Sequence, residues 1–446
     1  MAEDDRTIDG HRQDVSAGAS AQSTIFALSS GALPAAIAVI RVSGTAAGAA
    51  LRQIAGRLPP ARRAVTATLR DSDGAMLDRA LVLWLPGPGT ATGEDSAEFH
   101  LHGGRAVAAA VLSALAAVPG LRMAEPGEFT RRAFSNGRLD LAQAEGLADL
   151  LAAETEGQRR QALRLAEGGL GRRVGEWQAR LLALSARIEA AIEFEEDEDD
   201  VPALSAADQR ELDGLAQDLA AALAQPPAER LKDGVRIVVA GPTNAGKSSI
   251  INSLSGREVA IASAVAGTTR DIIEVPLTLN GMPCVLIDSA GLRRSAGKLE
   301  QIGIARAFAA IEDADLLLWL GKPEDCPRLH DIVQLHAKAD LDKRAGAGAA
   351  GLPVSVITGE GLDALRSILA ERVAALLPRE DLIALNARHR QLIAESADEL
   401  AAARQQDPLL AAEHLRNART ALDRITGRAG VEEMLDALFG RFCIGK

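Results

Sequence analysis

The sequence predicts a multidomain fold: an α+β N-terminal domain, an α-helical domain, and an α/β domain with a phosphate-binding loop inserted into the helical one. Three observations predict it. The apolar, β-branched run Val235–Ala240 leads through a glycine-rich loop into a helix start, which is the setting of a phosphate loop. Stretches rich in Ala, Leu, Glu and Arg flank that region on both sides. Short strand patterns precede the first of these stretches.

Composition sets the broad class of protein. The chain has 446 residues, of which 47% are hydrophobic, so two or three packed domains are expected. A net charge of −12, an aromatic content of 2% and the lack of tyrosine exclude a non-specific nucleic-acid coat and base-stacking platforms. The three cysteines form no CxxC pair or disulfide framework, which indicates the reducing cytoplasm. No apolar run reaches the roughly 18 residues of a membrane span, and the acidic start of the chain does not suit a signal peptide.

Shifts in composition divide the chain into five segments. We expect a flexible extension at 1–22, the N-terminal domain at 23–138, a first helical part at 139–230, the inserted nucleotide domain at 231–373 and a second helical part at 374–446. The two helical parts share one composition, so they are expected to form a single domain around the insertion.

The N-terminal domain shows strand patterns separated by helical ones. The strand patterns are Thr24–Leu28, Ala36–Val42, Ala80–Leu85 and Glu98–His102. The last of these alternates polar and apolar residues, as a half-buried strand does, and places His100 and His102 on one face. Two histidines on one face could begin a metal site or could have structural or solvent-facing roles. No third ligand is evident nearby.

The loop Gly241-Pro-Thr-Asn-Ala-Gly-Lys247-Ser248 has the GxxxxGKS spacing that cradles phosphates. Backbone N–H groups of such a loop, and of the helix that follows, face the phosphates. We expect Lys247 to reach the β- and γ-phosphates and Ser248 to hold Mg²⁺.

Two later segments complete the layout of a Ras-like GTPase with two switch regions. Asp288-Ser-Ala-Gly291 follows a strand, so Asp288 can hold Mg²⁺ through water and the Gly291 N–H can sense the γ-phosphate. The segment 267–271 supplies a hydroxyl, that of Thr269, as a second Mg²⁺ ligand. Leu292 stands where many GTPases have a glutamine that orients water, so the chain must either hydrolyse GTP slowly or position the water with another group.

Lys338-Ala-Asp340 fits recognition of guanine, with Asp340 pairing with N1 and N2 of the base. The usual first residue of this element is asparagine, and here it is Ala337. An ATPase that uses the same loop therefore stays an alternative, which side-by-side nucleotide binding would separate. Ser355-Val356 matches only in part the Ser-Ala-Lys element that supports the base.

Asn280-Gly281 stands between two apolar runs and is a strong hairpin signal. One antiparallel edge strand is therefore expected in an otherwise parallel sheet. A helix over Leu362–Leu377 is expected to close the domain before Pro378.

Together these motifs closely resemble the MnmE (TrmE) family of tRNA-modification GTPases, and the resemblance covers almost everything from Ser23 to Lys446. Its specific marks are Ile40-Arg-Val-Ser-Gly44, Thr92-Gly-Glu-Asp95, His102-Gly-Gly104, Pro126-Gly-Glu-Phe129, Arg138–Glu145, Gly241–Ser249, Gly267–Asp271 and the terminal Phe442-Cys-Ile-Gly-Lys446.

The resemblance implies a folate site in the N-terminal domain, which would also dimerise. A formyl-tetrahydrofolate derivative such as 5-formyl-tetrahydrofolate would be bound by Arg41, Glu98, Arg138 and Lys446. Cys443 matches the cysteine of the family's terminal motif and is expected to act in the chemistry.

The resemblance also implies that K⁺ activates GTP hydrolysis in a dimer of the nucleotide domains. Asn244, Ser263, Val265 and Thr268 would hold the ion, which takes the role of an arginine finger. Glu300 matches the residue that orients water. With Mg²⁺ on Ser248 and Thr269, the expected GTP-binding residues are Asn244, Ala245, Gly246, Lys247, Ser248, Ser249, Ser263, Thr268, Thr269, Asp288, Ser289, Ala290, Gly291, Lys338 and Asp340.

The implied activity is modification of the wobble uridine of certain tRNAs at carbon 5, by a homodimer joined to the flavoprotein partner MnmG in a heterotetramer. The alternative is a regulatory GTPase switch of the ribosome-assembly type, which needs neither the N-terminal domain nor the terminal motif. The sequence departs from the family pattern at Ala91, Ser289, Ala337 and Val356.

Overall fold

A computed structural model describes residues 23–193, 204–256, 274–288, 310–327, 331–341, 351–379, 382–404, 407–429, 438–440, 442 and 444–445. Two compact units divide the chain. The first combines Met1–Asp140 with Val431–Lys446, and the second is Leu141–Gly430. The predicted fold class, with an α+β domain, a helical domain and an α/β domain, is confirmed. The predicted bounds of the five segments stay predictions.

A six-stranded sheet forms the centre of the first unit, in the order β3-β4-β5-β2-β1-β6. Neighbouring strands are antiparallel except β1 and β6, which are parallel. Its elements are β1 (Thr24–Leu28), β2 (Ile37–Ser43), α1 (Ala47–Ala55), β3 (Val65–Arg70), β4 (Met76–Leu85), β5 (Ser96–His102), α2 (Arg105–Ala116), β6 (Leu121–Met123) and α3 (Glu128–Ser135).

At strand β5 the sheet has one face packed in the core and one open face, whereas β1 is buried on both faces through Phe26 on one and Ile25 and Ala27 on the other. Ala97, Phe99 and Leu101 are buried in the core with residues of α1 and α2. The residues between them, Glu98 and His100, are only partly buried and lie on the opposite face, because side chains alternate along a strand. The alternation predicted from the sequence therefore separates the core from the polar side chains.

The helical part of the second unit packs around one apolar core that includes Trp177, Leu181 and Leu215. Helices that precede the nucleotide-binding segment and helices that follow it share this core. Leu392 and Leu415 come from the helices that follow it. The helices are α4 (Leu141–Ala152), α5 (Glu156–Ala166), α6 (Gly169–Glu193), α7 (Ala206–Leu223), α8 (Glu229–Asp233), α11 (Ala387–Ala403) and α12 (Pro408–Thr426).

The nucleotide-binding segment contains a second six-stranded sheet, in the order β12-β11-β10-β7-β9-β8. Its elements are β7 (Val235–Ala240), α9 (Lys247–Ser255), β8 (Glu274–Leu279), β9 (Met282–Asp288), β10 (Leu316–Trp319), β11 (Ile332–Ala337), β12 (Leu352–Val354) and α10 (Leu362–Leu376), with a short 3₁₀ helix at Pro323–Asp325. All strand pairs are parallel except β8 with β9.

The predicted hairpin between β8 and β9 is confirmed. Asn280 has a φ of 51° and Gly281 a φ of 79°, and a two-residue type I′ turn needs positive φ at both positions. The strand β8 lies at the edge of the sheet, as expected.

Side chains of helix α5 form hydrogen bonds with both chain segments that connect the helical core to the nucleotide-binding segment. Gln158 Nε2 donates to the carbonyl oxygens of Leu231 and Lys232, each at 3.1 Å. One turn further on, Gln161 Nε2 donates to the carbonyl oxygens of Arg379 at 3.1 Å and Leu382 at 3.0 Å. The segment leading in and the segment leading out therefore lie side by side.

Glu145 on α4 is the anion of a buried cluster with two neighbouring residues of α11. Arg388 donates to both carboxylate oxygens, at 2.9 and 2.8 Å, and His389 Nε2 lies 2.7 Å from Oε2. Burial alone would raise the pKa of Glu145. The hydrogen bonds and charges of His389 and Arg388 outweigh it and lower the pKa to about 2.

Replacing Glu145 with glutamine is expected to lower the free energy of unfolding by about 3 kcal/mol at neutral pH, because two buried donors lose their anion. A carboxylate with a depressed pKa contributes its stability above its ordinary pKa of 4.5 and loses it as the pH falls towards 2. Urea unfolding should therefore show a difference between wild type and Glu145→Gln that shrinks over this range. Glu176→Gln, at an exposed carboxylate of α6, is the control. A difference that does not change with pH would contradict this assignment.

Among the described residues, no helix combines the length and apolar character needed to cross a membrane.

Candidate functional site

The phosphate loop connects β7 to α9 and is shaped by two glycines. Gly241 has a φ of 146° and Gly246 a φ of 98°, values that side chains rarely adopt. A Cβ on Gly241 would also lie only 3.0 Å from the Cβ of Leu320, the residue after β10. The loop conformation therefore requires glycine at this position.

Lys247, the first residue of α9, is buried within the loop. Its Nζ donates to the carbonyl oxygens of Gly241 at 3.0 Å and Pro242 at 2.7 Å. These contacts fix a cation at the N-terminus of a helix, where the partial positive charge of the helix also favours anions. The geometry suits a bound phosphate.

Ser248 and Asp288 form the predicted magnesium pair. Ser248 Oγ donates to Asp288 Oδ2 at 2.7 Å, which joins the start of α9 to the end of β9. A hydroxyl and a carboxylate side by side are the hard oxygen groups that Mg²⁺ prefers, so the residues present fit this ion. The third predicted member, Thr269, lies outside the described residues.

The other end of the site has the polar groups expected for a base. Lys338 has a φ of 62° and its Nζ donates to the carbonyl oxygen of Asn244 at 2.7 Å, which connects the β11 end to the phosphate loop. Ser355 Oγ donates to Asp340 Oδ1 at 2.6 Å. A cavity of about 150 Å³ lies here, bordered by Gly246, Ser249, Ala337, Lys338, Asp340 and Val356 among others.

Ser355 is a functional residue whose role the sequence indicated only in part. Its hydroxyl accepts from the backbone N–H of Thr358 at 3.2 Å while donating to Asp340, so it fixes the carboxylate. The partial Ser-Ala-Lys match was the available signal. The departure at Val356 leaves this contact in place.

Replacing Ala337 with asparagine is expected to tighten GDP binding by about threefold to tenfold, the value of one neutral hydrogen bond of roughly 0.5–1.5 kcal/mol. Ala337 ends β11 and borders the cavity next to Lys338, where the usual asparagine amide would stand. Calorimetric titration of wild type, Ala337→Asn and the size control Ala337→Val with GDP and ADP measures this. Binding of ATP as tightly as GTP by the wild type would refute the guanine assignment.

Three of the four predicted folate residues, Arg41, Glu98 and Arg138, are described and lie in the first unit. Arg41 on β2 and Glu98 on β5 are paired in register, and Arg41 Nε and Nη2 donate to Glu98 Oε1 at 3.2 and 3.1 Å. Arg138 Nε donates to the carbonyl oxygen of Thr90, in the loop between β4 and β5. That loop also bonds Ser43, two residues along β2 from Arg41. Two cations and a carboxylate fit an anionic ligand that also has N–H donors.

The last described residues of the chain pack onto the same unit. Ser29 Oγ donates to the carbonyl oxygen of Gly445 at 2.9 Å, and Ile444 bridges Pro126. The Ser29 N–H in turn donates to the carbonyl oxygen of Val39, two residues before Arg41. Gly445 therefore lies beside Leu28 and Ser29, at the end of β1.

A buried polar network brings together three of the motifs that mark the sequence, and no role was predicted for its members. Ser43 Oγ lies 2.7 Å from Thr92 Oγ1 and donates to Glu94 at 2.7 Å. Arg132 donates to Glu94 at 3.2 Å and to Glu128 at 2.9 Å. The sequence signal for this network was the position of Ser43, Thr92, Glu94 and Glu128 in short motifs, because polar residues in such motifs often form hydrogen bonds with one another.

The two histidines of β5 have carboxylate partners. His100 Nε2 lies 3.1 Å from Glu98 Oε2, and His102 Nδ1 lies 2.7 Å from Asp78 Oδ1. Burial by itself would raise the pKa of Asp78, but hydrogen bonds from His102 and Arg79 outweigh it and lower the pKa. Within the described ranges no group of three His, Cys, Asp or Glu side chains could hold a metal ion.

Several predicted site residues lie outside the described residues and stay predictions. They are Ser263, Val265, Thr268, Thr269, Ser289, Ala290, Gly291, Glu300, Cys443 and Lys446.

Comparison with known families gives two matches. The model described as the MnmE helical domain matches residues 141–443, and that described as the GTP-binding protein TrmE N-terminus matches residues 24–138. Together they span most of the chain.

Among curated proteins, the chain is similar to the tRNA modification GTPase MnmE of Erythrobacter litoralis, with 56% identity over 95% of this chain and 100% of that protein. It is also 55% identical to the protein of that name from Novosphingobium aromaticivorans, over 95% of this chain and 99% of the relative. Among solved structures, the G domain of the T. maritima FeoB iron transporter is 25% identical over 31% of this chain and 98% of that one, with a TM-score of 0.23.

Proposed function

The chain belongs to the MnmE (TrmE) family of tRNA modification GTPases, and on that premise we propose a K⁺-dependent GTP hydrolase that modifies the wobble uridine of certain tRNAs. The product is of the 5-carboxymethylaminomethyl or aminomethyl type, and a formyl-tetrahydrofolate derivative donates the one-carbon unit. The observation that carries the proposal is the ordered phosphate loop around the buried Lys247, beside the Ser248–Asp288 pair.

In the nucleotide half, the chain's own groups bind and orient GTP. Lys247 and the N–H groups at the start of α9 bind the phosphates, while Asp340, held by Ser355, accepts from the guanine edge. Ser248 and Thr269 would hold Mg²⁺, with Asp288 bonded to the Ser248 hydroxyl. Bound Mg²⁺ supplies charge neutralisation at the β- and γ-phosphates.

Hydrolysis needs a further positive charge and an oriented water. We assign the charge to K⁺ held by Asn244, Ser263, Val265 and Thr268 between two nucleotide domains of a homodimer. Support comes from Asn244, which is exposed in the phosphate loop with a φ of 63°. Glu300 orients the water, since leucine at position 292 has no polar group for this.

In the N-terminal half, cationic and anionic side chains bind different parts of the folate. Arg41, Arg138 and Lys446 are cations for the carboxylates of the glutamate tail, and Glu98 accepts from the amine and N–H donors of the pterin ring. Support comes from the pairing of Arg41 with Glu98 and from Gly445, the residue before Lys446, which accepts a hydrogen bond from Ser29 next to the end of β1. Cys443 is then brought towards the one-carbon unit.

The remaining reaction steps need partners. We propose that the homodimer joins the flavoprotein MnmG in a heterotetramer, binds tRNA and works in the cytoplasm. Because the net charge of the chain is −12, tRNA binding would have to use a local basic patch or the partner.

The test uses two variants in cells that lack the wild-type protein: Cys443→Ser and a deletion of residues 443–446. Both are expected to reduce wobble-uridine modification, measured by mass spectrometry, because they remove groups from the folate half. Both should retain GTP turnover close to that of wild type, because the nucleotide site is built from other residues.

Cys326→Ser, at a partly buried cysteine of the nucleotide-binding segment, is the matched control for the thiol. Full wild-type modification in cells that carry only the deletion variant would overturn the folate half. Wobble uridines that stay fully modified in cells that lack the protein would point instead to a regulatory switch.

A further inference from the structure

On the open face of the first sheet, both oxygens of one carboxylate are held by different neighbours. Glu98 Oε1 accepts from Arg41, on the adjacent strand β2, at 3.1 and 3.2 Å. Glu98 Oε2 lies 3.1 Å from Nε2 of His100, two residues further along β5. The side chains of Glu98 and His100 are 17% and 29% exposed, so the cluster is sheltered and still reachable from solvent.

The donor in the second contact is the histidine. An ionised carboxylate can only accept, so Nε2 of His100 carries the hydrogen and donates it to Oε2. The alternation of β5 enforces this arrangement, because residues two apart share one face of the sheet. Arg41 alone leaves the terminal torsion of Glu98 broad, since such sp³–sp² torsions have no narrow rotamer wells. The hydrogen bond from His100 to the other carboxylate oxygen fixes the orientation of the carboxylate plane.

We propose that His100 is a positioning residue for ligand binding at Glu98. This inference rests on the proposed folate function. Oε1 already accepts from two N–H groups of Arg41, and His100 uses one of the two lone pairs of Oε2, which leaves an acceptor site on Oε2. An acceptor site of fixed direction matches an N–H donor on the edge of a planar ligand, as an aminopyrimidine edge has. His100 acts through Glu98 and touches no ligand atom itself.

The test is calorimetric titration of the full chain with 5-formyl-tetrahydrofolate. His100→Ala is expected to weaken binding by about threefold to tenfold, the value of one hydrogen bond. His100→Gln, whose amide N–H can also donate to Oε2, should restore most of the affinity. The same histidine change in a Glu98→Gln background should have no further effect, because the acceptor is already altered. GTP turnover and the melting temperature should stay at their wild-type values.

His102→Ala is the matched control, since this histidine of the same strand pairs with Asp78 and has a side chain that is 76% exposed. Wild-type affinity in His100→Ala, or a His100→Gln variant as weak as His100→Ala, would refute the positioning role. A further loss in the double variant would show a direct ligand contact and refute it as well. If Glu98→Gln alone binds 5-formyl-tetrahydrofolate as tightly as wild type, the proposed folate site itself fails, and the inference fails with it.

Discussion

Replacing K⁺ by Na⁺ at constant ionic strength is expected to slow GTP turnover by about 10³-fold or more. An effect of this size is expected because the ion takes the place of an arginine finger, which speeds GTP hydrolysis by about 10³–10⁵-fold in other GTPases. The loop geometry is consistent with this role: Asn244 is exposed, and its left-handed backbone is held by the hydrogen bond from Lys338 to its carbonyl oxygen. Its side chain is therefore available to an ion.

The measurement is GTP turnover under saturating nucleotide in K⁺ and in Na⁺, with GDP affinity measured in both. Asn244→Ala should remove the difference between the two salts, and Glu300→Ala should lose turnover while still binding GTP. Asn252→Ala, at an exposed asparagine of α9, is the control and should keep the full K⁺ response. Equal turnover of the wild type in both salts would exclude the ion from the mechanism.

Replacing Lys247 with methionine is expected to reduce GTP turnover by about 10²–10³-fold, the loss seen when one preorganised electrostatic donor is removed from a catalytic site. Methionine keeps much of the apolar length of the side chain and removes only the ammonium group. That group is buried and held by two loop carbonyls, so a phosphate meets it without reorganisation of the loop. GTP affinity should fall as well, because the ground-state phosphates also contact this cation.

Single-turnover hydrolysis at saturating GTP separates the two effects of Lys247→Met. Lys322→Met changes an exposed lysine of the same segment and should leave both turnover and affinity unchanged. The urea midpoint should be measured for both variants, because two carbonyl acceptors lose their donor in Lys247→Met. Turnover within twofold of wild type, with the protein folded, would place phosphate binding elsewhere.

The nucleotide half could be predicted from local patterns, because its signals are short and tied to backbone geometry. The phosphate loop needs glycine at positive φ, and the Asn280–Gly281 turn needs positive φ twice, so a few residues specify each. The strand β6 could not be predicted, since three residues show no periodicity. The strand β3 was not among the predicted strands, although Val65–Arg70 alternates apolar and polar residues, so a period-two signal was present.

The N-terminal site could not be predicted from pattern alone, because its groups meet only in the fold. Arg41 and Glu98 are 57 residues apart in the chain and were named from the family resemblance. The register of β2 against β5 brings them together, and no local signal sets that register. His100 and Ser355 needed the structure for the same reason, since their roles depend on the carboxylate that each one holds.

The two glutamines of α5 have a consequence for how such a chain can be rearranged. The segments that lead into and out of the nucleotide-binding part also bond each other directly, from the Ala228 N–H to the Leu385 carbonyl oxygen at 3.0 Å. The nucleotide-binding segment, about 150 residues long, therefore leaves the helical bundle and returns to it at neighbouring positions. Closing so long a loop costs only slightly more entropy than closing a short one. The bundle can therefore accept a graft of different length at this point, such as a short turn or another domain with adjacent termini, without moving its own helices.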